Sequence, residues 1–467
     1  MIGGGLAGIA AALDCADAGA RVTLLEVRRR LGGAAYSFER DGLRLDNGQH
    51  VFLRCCVAYR ALLARLGSEH LLALQRRLEI PVLSPGREPV TLRRGALPAP
   101  LHLAGALARY SPLTFRQRLG AARAALALAR LDPLDPALEE LTFGDWLARH
   151  GQGPDAVGAL WDLIALPTLN LPAAQASLAL GAFVFRTGVL CGADAGDIGF
   201  HTATLSETIG EPAARALAAA GVEVRLGWRA ERLEQTATGL EVHGRGGRGA
   251  AGELGDGGDE EGDARGGDRA ASRDQEGLSA EALSAEAVIV ALPHTRAAAL
   301  LQALLPEVTA RLSRLASSPI VNLHVVYDRP VCELPFAAGV RTPVQYLFDR
   351  TAAAGAPAPS QYLAVSLSGA DREMGMSVDA LRERYLPALA ELLPRARQAK
   401  VERFLVTREH AATFRAAPGV AALRPAAEST VPGLVLAGSW TDTGWPATLE
   451  GAVLSGHTAA RVALAVL

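Results

Sequence analysis

The first fifty residues alternate between two hydrophobic patterns. Leu6–Ala20 is rich in alanine and almost free of helix breakers, which predicts a helix. Ala20–Glu26 is a short apolar run typical of a buried strand. A glycine turn, a helix and a buried strand in this order are typical of a parallel α/β unit. The opening of the chain therefore predicts an α/β domain.

A long helical stretch follows. From about residue 58 to 165, leucine and alanine recur at spacings of three and four, with prolines between the runs. Beyond Gly221 short apolar runs separated by turn residues predict strands. The clearest of these runs are Val222–Leu226, Glu231–Leu233, Leu240–His243 and Ala285–Leu292. Residues 296–415 mix both patterns, and the chain closes with an apolar strand, Gly433–Ala437, and a helix from about Glu450.

Residues 244–277 break the pattern of apolar positions. They are crowded with Gly, Asp, Glu and Arg and contain almost no large apolar side chain. Such a composition cannot bury enough apolar surface to offset the entropy of ordering the chain. We therefore expect a disordered insertion between two strands, with no function assigned to it.

Composition and charge narrow the class of protein. The 467 residues are 49% hydrophobic and 21% charged, as in ordinary globular proteins, and the length predicts more than one domain. The formal net charge is −2, so we expect no nucleic-acid partner. The five cysteines show no metal-ligand spacing, which predicts reduced thiols and no metal site. No signal peptide or membrane span is visible, so we expect a cytoplasmic protein, with peripheral contact at the inner membrane face left open.

A glycine motif near the start indicates a dinucleotide site. Gly3, Gly5 and Gly8 form the pattern G-x-G-x-x-G, and Leu6 and Ala7 lie inside it. The glycines allow a tight turn, close approach of a pyrophosphate and close packing of helix on strand. Glu26, 18 residues after Gly8, ends the next predicted strand, where its carboxylate can accept from ribose hydroxyls. Only Met1 and Ile2 precede the turn, so the first strand is expected to be truncated.

Two further motifs resemble those of the amine oxidase and phytoene desaturase flavoproteins. Arg30, Gly32 and Gly33 follow Glu26 as in the E-x-x-x-R-x-G-G signature of that superfamily, and residues 434–453 resemble its closing strand, turn and helix. The resemblance implies FAD as cofactor. The cofactor-binding residues that it implies are Gly3, Gly5, Leu6, Ala7, Gly8, Glu26, Arg30, Gly32, Gly33, Ala230, Gly438, Ser439, Leu449 and Glu450. Two positions depart from the pattern, since Ala34 replaces a basic residue and Ser439 an acidic one.

More specific segments resemble one family within this group. The segments are Asp46–His50 (DNGQH), Leu166–Pro172, Asp194–Ile198 (DAGDI), Arg408–Phe414 and WTDTGWPATLE at 440–450, and together they are similar to the hydroxysqualene dehydroxylases. The resemblance covers the chain outside 244–277. It implies a lipophilic C30 isoprenoid substrate that loses a hydroxyl group reductively, and it does not indicate the electron donor. Arginine-spaced apolar residues in Leu97–Leu131 fit either contact with a bilayer or an ordinary helical substrate domain.

The resemblance also suggests catalytic residues. Loss of hydroxide requires a proton donor, for which His50 and Asp197 are candidates, with Asp194 behind them. Trp445, with Trp440, could form an aromatic wall that stabilises positive charge. Each has a structural alternative: His50 could orient a loop, the aspartates could cap a helix, and the tryptophans could simply pack.

Other functions stay open at this stage. An isoprenoid desaturase would use the same folded site with the opposite direction of electron flow. An amine oxidase is disfavoured because Lys400, the single lysine, lies outside the motifs. A non-catalytic pathway subunit is the remaining alternative.

The expected architecture is α/β, with a Rossmann-type FAD-binding domain and a discontinuous, largely helical α+β substrate domain. The FAD-binding domain is assigned to residues 1–70, 200–300 and 415–467, and the substrate domain to 71–199 and 301–414.

Overall fold

A computed structural model describes residues 1–247 and 278–467 of the chain. Its helices are α1 (Leu6–Asp17), α2 (Val57–Arg65), α3 (Ala104–Arg109), α4 (Phe115–Leu128), α5 (Phe143–Arg149), α6 (Pro154–Ala156), α7 (Asp162–Leu169), α8 (Leu178–Phe185), α9 (Glu211–Ala219), α10 (His294–Leu301), α11 (Pro306–Arg314), α12 (Thr351–Ala354), α13 (Asp371–Met374), α14 (Val378–Leu392) and α15 (Leu449–Leu464). None of these helices is long and apolar enough to cross a membrane.

Nineteen strands lie in the same described residues. They are β1 (Thr23–Glu26), β2 (Ser37–Arg40), β3 (Leu43–Asp46), β4 (Val51–Leu53), β5 (Leu72–Leu74), β6 (Glu79–Leu83), β7 (Val90–Arg93), β8 (Ile198–His201), β9 (Glu223–Leu226), β10 (Arg229–Thr236), β11 (Gly239–Gly247), β12 (Leu278–Ala285), β13 (Val288–Val290), β14 (Ser317–Tyr327), β15 (Phe336–Gly339), β16 (Tyr346–Asp349), β17 (Gln361–Ser368), β18 (Val401–Phe414) and β19 (Leu434–Leu436).

A parallel sheet forms the first layer. Strands β9 and β1 pair on one side and β13 and β19 on the other, and Ile2 bridges Leu25 to Val290 between the two pairs. Alternate side chains point to opposite faces. One face packs on α1, α2, α9 and α15, and the other packs on the antiparallel sheet β10–β11–β12 with α10 and α11. This layering confirms the predicted α/β class with a Rossmann-type arrangement.

A seven-stranded sheet forms the second layer, in the order β18-β14-β17-β16-β15-β6-β7. Its neighbours are antiparallel except for the parallel pair β15 and β6. The odd-numbered apolar residues of β14, such as Leu323, pack under α14. Asn322 and His324 therefore lie on the opposite face of the sheet, because side chains alternate along a strand.

The structure corrects one predicted region. Part of the stretch expected to be mostly helical, residues 72–93, forms β5, β6 and β7 instead. Strands β5 and β6 are extended because they pair with β8 and β15, which lie more than 100 residues away along the chain, and β7 in turn pairs with β6. Local spacing of leucine and alanine contains no information on such partners.

The predicted insertion lies mostly outside the described residues. Residues 244–247 belong to β11, which pairs antiparallel with β12 up to the partners Gly247 and Leu278. The prediction of disorder for the rest of 244–277 falls on residues that the structure does not describe. The assignment of residues to two domains stays a prediction.

Candidate active site

The glycine turn after Ile2 is shaped by close backbone contacts. A Cβ at Gly8 would lie 1.9 Å from the carbonyl oxygen of Gly3, and a Cβ at Gly3 would lie 2.5 Å from that of Ala291. Only glycine therefore fits at these two positions. The absence of both side chains lets α1 start directly against the ends of the parallel strands.

The start of α1 offers unused hydrogen-bond donors. Gly5 is its N-cap residue and has no side chain to cap the helix, and the first intrahelical bond runs from the amide of Ile9 to the carbonyl of Gly5 at 2.9 Å. The amides before Ile9 have no acceptor within the helix. They belong to the predicted residues Leu6, Ala7 and Gly8. Together with the helix dipole they form a site for an anion such as a pyrophosphate.

A second loop lies over this turn. Gly5 and Gly32 form a parallel bridge, and a Cβ at Gly33 would lie 2.7 Å from Cα of Gly5. Arg30 donates to the carbonyl of Gly33 at 3.2 Å, and its guanidinium lies 3.5 Å from the ring centroid of Tyr36. The predicted Arg-x-Gly-Gly loop is thus held beside the first amides of α1.

Glu26 is buried at the end of β1. Its carboxylate accepts from the amide of Gly4 at 2.6 Å and from that of Arg28 at 2.8 Å. A carboxylate has about four acceptor positions, so Glu26 can also accept from a ribose hydroxyl. Its carbonyl accepts from the amide of Trp228, which brings the half-buried Ala230 at the start of β10 to the same edge.

The turn after β19 is organised by a buried arginine. Gly438 donates to Ser455 Oγ at 2.8 Å, and Arg424 Nη2 donates to the carbonyls of Ser439 at 3.3 Å and Thr441 at 2.6 Å. Burial lowers the pKa of Arg424 to about 10, which leaves it charged at neutral pH. No sequence motif points to Arg424, which lies ahead of the closing motif.

At the start of α15, side chains and backbone amides have different roles. Glu450 is buried, and its carboxylate accepts from the amides of Ala58 at 2.9 Å and Tyr59 at 2.7 Å, at the N-terminus of α2. Thr448 caps α15 through its side chain. The backbone amides of Leu449 and Glu450 are therefore the groups at this position that could face a flavin, and the side chain of Glu450 supports the neighbouring helix.

The residues of these turns fit FAD. The amides of α1 suit its diphosphate, and Glu26 suits its ribose. The turn after β19 leads to the N-terminus of α15, whose first backbone amides could face the flavin ring. The glycines let these backbone segments approach one another more closely than Cβ atoms would allow. These residues could thus hold FAD, which would supply the redox chemistry of the site.

The segment after β3 joins the two layers. Asp46 is buried and accepts from Arg350 Nη2 and from the amide of Leu205, both at 2.9 Å. The carbonyl of the next residue, Asn47, accepts from Asn322 Nδ2 at 2.9 Å on the polar face of β14. The predicted motif Asp46–His50 is therefore fixed between the glycine turns and the seven-stranded sheet.

Glu409 on β18 completes this junction. It accepts from Asn47 Nδ2 at 2.8 Å and from the hydroxyl of Tyr36 at 3.4 Å. Neither Glu409 nor Arg350 was predicted as a site residue. Glu409 stood in the quoted segment Arg408–Phe414, whereas Arg350 had no motif around it.

A cavity of about 500 Å³ opens beside this segment. Its volume is within the range of small-molecule sites. Three phenylalanines on its wall contact one another: the ring centroids of Phe336 and Phe348 are 6.0 Å apart, and those of Phe200 and Phe336 are 6.2 Å apart. The wall is thus apolar and aromatic on one side.

The other side of the cavity is polar. It includes Gln49, His50, His201 and Arg350. The buried atoms Gln49 Nε2 and His201 Nδ1 have no hydrogen-bond partner among the described residues, so each could bind a ligand atom. The hydroxyl of Tyr59 lies 3.0 Å from His201 Nε2.

Both histidines are held mainly neutral. Burial lowers the pKa of His50 from its usual range, although the charge of Asp46 acts in the opposite direction. Burial, with the nearby charges of His50 and Arg350, lowers the pKa of His201 to about 3. Of the two, only His50 has a neighbouring carboxylate that favours its protonated form.

Asp197 lies elsewhere. Arg54 binds its carboxylate at 3.0 Å and Arg94 at 2.6 Å, and the amide of Leu78 donates to it at 2.6 Å. Burial alone would raise the pKa of Asp197, but these hydrogen bonds outweigh it and lower the pKa. Arg54 follows β4 whereas His50 precedes it, and four residues of extended chain separate them by roughly 13 Å. The structure therefore does not bring Asp197 and His50 together, and the contacts of Asp197 favour a structural role.

The two tryptophans pack against the protein. Trp440 is buried and donates from Nε1 to the carbonyl of Leu292 at 2.8 Å. Trp445 is half-buried and meets Phe183 of α8 edge to face, with centroids 5.1 Å apart. Neither lines the cavity of His50, whose aromatic wall consists of phenylalanines instead.

Comparison with known proteins gives three findings. The sequence profile of the family described as flavin containing amine oxidoreductase matches residues 6–464. The chain is 30% identical to a hydroxysqualene dehydroxylase of Rhodopseudomonas palustris over 100% of this chain and 98% of that protein. It is 24% identical to a probable zeta-carotene desaturase of Synechococcus elongatus over 99% of this chain and 98% of that protein.

Solved structures agree on the fold. Cyclohexylamine oxidase from Brevibacterium oxydans superposes with a TM-score of 0.68 and 18% sequence identity, over 99% of this chain and 98% of that one. All these similarities extend over nearly the whole chain, and the match to the hydroxysqualene dehydroxylase covers 100% of it.

Proposed function

Because the chain belongs to the flavin-containing amine oxidoreductases and is an FAD-dependent oxidoreductase, we propose that it reduces hydroxysqualene to squalene. The observation that carries this proposal is the 30% identity with a hydroxysqualene dehydroxylase over the full length of both chains. The zeta-carotene desaturase relative is less similar, at 24%. Lys400, the single lysine, is exposed at the edge of β18, which disfavours an amine oxidase that needs a lysine beside the flavin.

The reaction breaks one bond and forms another. The C–O bond of the allylic alcohol breaks with its electron pair on oxygen, which takes up a proton and leaves as water. FAD, when bound in its reduced form, supplies the hydride that the carbon accepts. Since hydroxide is a poor leaving group, the protein has to supply a proton or a strong hydrogen bond at the oxygen.

We assign that donor to His50. It lines the cavity, and the charge of Asp46 supports its protonated form. Asp46 itself is held in place by hydrogen bonds from Arg350 and from the amide of Leu205. In this role His50 protonates the hydroxyl oxygen and is reprotonated from solvent after water leaves.

The aromatic wall of the cavity stabilises the carbon that loses the hydroxyl group. Phe200, Phe336 and Phe348 exclude water from the position where positive charge develops, and their ring faces stabilise that charge. The same apolar surface suits an isoprenoid chain. A substrate of this kind partitions into lipid, and we propose that the enzyme acts at the cytoplasmic side of a membrane.

An anaerobic assay tests the proposal. FAD-loaded protein, reduced chemically, is offered hydroxysqualene, and the lipid extract is analysed for squalene. The expected product is squalene. FAD-loaded protein that leaves hydroxysqualene unchanged but oxidises a polyene would refute the dehydroxylase function in favour of a desaturase.

The role of His50 has its own test. His50→Gln is expected to lower kcat by at least 100-fold, the usual effect of losing a proton donor, with FAD content unchanged. His70→Gln is the matched control, because His70 is exposed on a short helical turn. The lowered pKa of His50 predicts that kcat rises as the pH falls below about 6.5, since only the protonated ring donates. Squalene formation with an unchanged pH profile in His50→Gln would remove His50 from this role and leave the reaction intact.

A further inference from the structure

Helix α4 exposes an apolar stripe to solvent. Phe115, Leu119 and Leu126 have exposed fractions of 74%, 44% and 47%. With 3.6 residues per turn, these side chains lie within roughly 40° of one another around the helix. The side chains that α4 buries on its opposite face are Ala121, Ala124 and Leu128. Surface helices of globular proteins usually carry polar residues at the positions of this stripe.

Residues close to α4 in the sequence are also exposed and apolar. Leu97 and Leu101 are each 56% exposed ahead of α3, and Leu134 beyond α4 is 82% exposed. Of the twelve exposed large apolar side chains in the described residues, six fall within residues 97–134. The concentration in 38 residues indicates a surface that is covered by a partner.

Arginines flank the stripe. Arg116, Arg123 and Arg130 follow one side of it at seven-residue spacing, and Arg118 lies on the other side. Residues 97–131 contain five arginines and not one Asp or Glu, although the whole chain has a net charge of −2. The partner of this surface should therefore be both apolar and anionic.

We propose that α4, with Leu97 and Leu101, docks on the surface of an anionic lipid bilayer. An interfacial helix places its apolar side chains among the acyl chains and its arginines at the phosphates. A second copy of this chain fits less well, because two such faces would bring arginines together without carboxylates to pair with them. The inference extends the proposed function by naming where its lipid substrate comes from, but the surface itself does not depend on which lipid reacts.

The docking surface is linked to the cavity. Tyr110 and Leu113, between α3 and α4, belong to the same apolar cluster as Phe336 and Phe348 of the aromatic wall. Partly buried side chains at Leu103 and Leu107 extend this cluster toward α3. An isoprenoid leaving the bilayer at α4 would thus meet continuous apolar packing on its way to the cavity.

Vesicle flotation tests the proposal on the FAD-loaded full chain. The probes are vesicles of phosphatidylglycerol and phosphatidylcholine in equal parts, and vesicles of phosphatidylcholine alone. Wild-type protein is expected to bind the anionic vesicles more tightly, and the preference should shrink in 0.5 M salt. Equal binding to both vesicle types, or none to either, would overturn the proposal.

Variants separate the contribution of the exposed apolar side chains to vesicle binding from that of the arginines. Phe115→Ser/Leu119→Ser/Leu126→Ser is expected to bind at least tenfold more weakly, because three exposed apolar side chains no longer enter the bilayer. Arg116→Gln/Arg123→Gln/Arg130→Gln is expected to bind anionic vesicles about 100-fold more weakly, at about fivefold for each arginine. The control Val378→Ser/Val466→Ser removes exposed apolar side chains elsewhere and should bind like wild type.

The same variants distinguish this inference from the proposed function. With hydroxysqualene in detergent, the turnover of the triple serine variant should equal that of wild type. With hydroxysqualene in anionic vesicles, its turnover should be at least tenfold lower than that of wild type. Vesicle binding by a protein inert toward hydroxysqualene would refute the function and leave the docking. A stripe variant that binds vesicles like wild type, or that loses only a concentration-dependent dimer, would refute the docking.

Discussion

At the scale of single residues, the tightest requirement in the site is the absence of a side chain at Gly8. A Cβ there would lie 1.9 Å from the carbonyl oxygen of Gly3, which belongs to backbone and cannot rotate away. Gly8→Ala is expected to destabilise the protein by about 2 kcal/mol and to weaken FAD binding, because α1 has to move from the strand ends. Flavin absorbance per protein and thermal unfolding measure both effects.

Gly158 provides the matched control. It is also a helical glycine, but a Cβ at Gly158 would meet nothing within 4 Å. Gly158→Ala should therefore leave FAD content unchanged and stabilise the fold slightly, by up to about 1 kcal/mol. Full FAD content in Gly8→Ala would contradict the packing argument.

The carboxylate of Asp197 is predicted to act in stability. Asp197→Asn leaves Arg54 and Arg94 without their shared partner and should cost about 3 kcal/mol in the free energy of unfolding. Loss of a proton donor lowers turnover by about 100-fold, and turnover per FAD-loaded molecule of Asp197→Asn should fall far less than that. Urea unfolding and the anaerobic assay check the two statements, and a 100-fold loss of turnover in a stable variant would restore Asp197 as a proton donor.

The pH dependence of stability has a definite sign at Asp197. Its pKa is lowered in the folded protein, so its contribution is complete above the unfolded value of about 3.9 and is lost as the pH falls through the folded value. Wild type should therefore lose more stability below pH 4 than Asp197→Asn. Asp194→Asn is the control, since Asp194 is exposed and 3.8 Å from Arg54, and it should change stability by less than about 0.5 kcal/mol.

Glycine positions could be predicted from sequence because their requirement is local. The partners of polar side chains could not, because they come from distant parts of the chain. Glu450 was assigned to the cofactor by its motif. Its carboxylate instead accepts from backbone amides of α2, including that of Tyr59, which precedes Glu450 by 391 residues. Likewise, the indole N–H of Trp440 donates to the carbonyl of Leu292 and not to a cofactor or substrate.

At the scale of elements, the start of α4 depends on a capping box. The side chain of Thr114 accepts from the amide of Gln117, whose side chain accepts from the amide of Thr114. Thr114→Ala should cost about 1 kcal/mol and fray the turn that carries Phe115, whereas Thr114→Ser keeps the acceptor. Hydrogen exchange of the first amides of α4 measures the fraying, and equal protection in both variants would contradict this account.

The parallel strands could be predicted because each is a short apolar run between turn signals. The predicted runs at Val222–Leu226 and Gly433–Ala437 became β9 and β19 with boundaries shifted by one residue. Residues 72–93 were misjudged, because β5 and β6 depend on pairing with the distant strands β8 and β15, and β7 depends on β6. Elements with distant partners are thus the ones that local patterns miss.

At the scale of the whole molecule, the site is assembled from segments at both ends and in the middle of the chain. The motifs near Gly3 and Gly438 could be recognised separately, and the parallel sheet explains why they meet, since β13 pairs with both Ile2 and β19. The cavity could not be predicted. Its wall combines Phe200, Phe336 and Phe348, which belong to β8, β15 and β16 and carry no motif.

The connection between β11 and β12 can be shortened without affecting the site. Gly247 and Leu278 are direct partners in this antiparallel pair, so a two-residue Asn-Gly turn can replace residues 248–277 without changing the register. Shortening the connection from 30 residues to two lowers the entropy cost of closing it by about 2 kcal/mol. The shortened protein should keep its FAD content and turnover and unfold at an equal or higher temperature.

A second variant separates the length of this connection from its sequence. Shuffling residues 248–277 keeps the length, so its unfolding temperature, FAD content and turnover should match those of wild type. The parallel sheet and the seven-stranded sheet obtain all the pairings described above from residues outside 248–277. Loss of FAD from both variants would therefore mean that the sequence of the connection contributes to the site, and loss from the shortened one alone would mean that its length does.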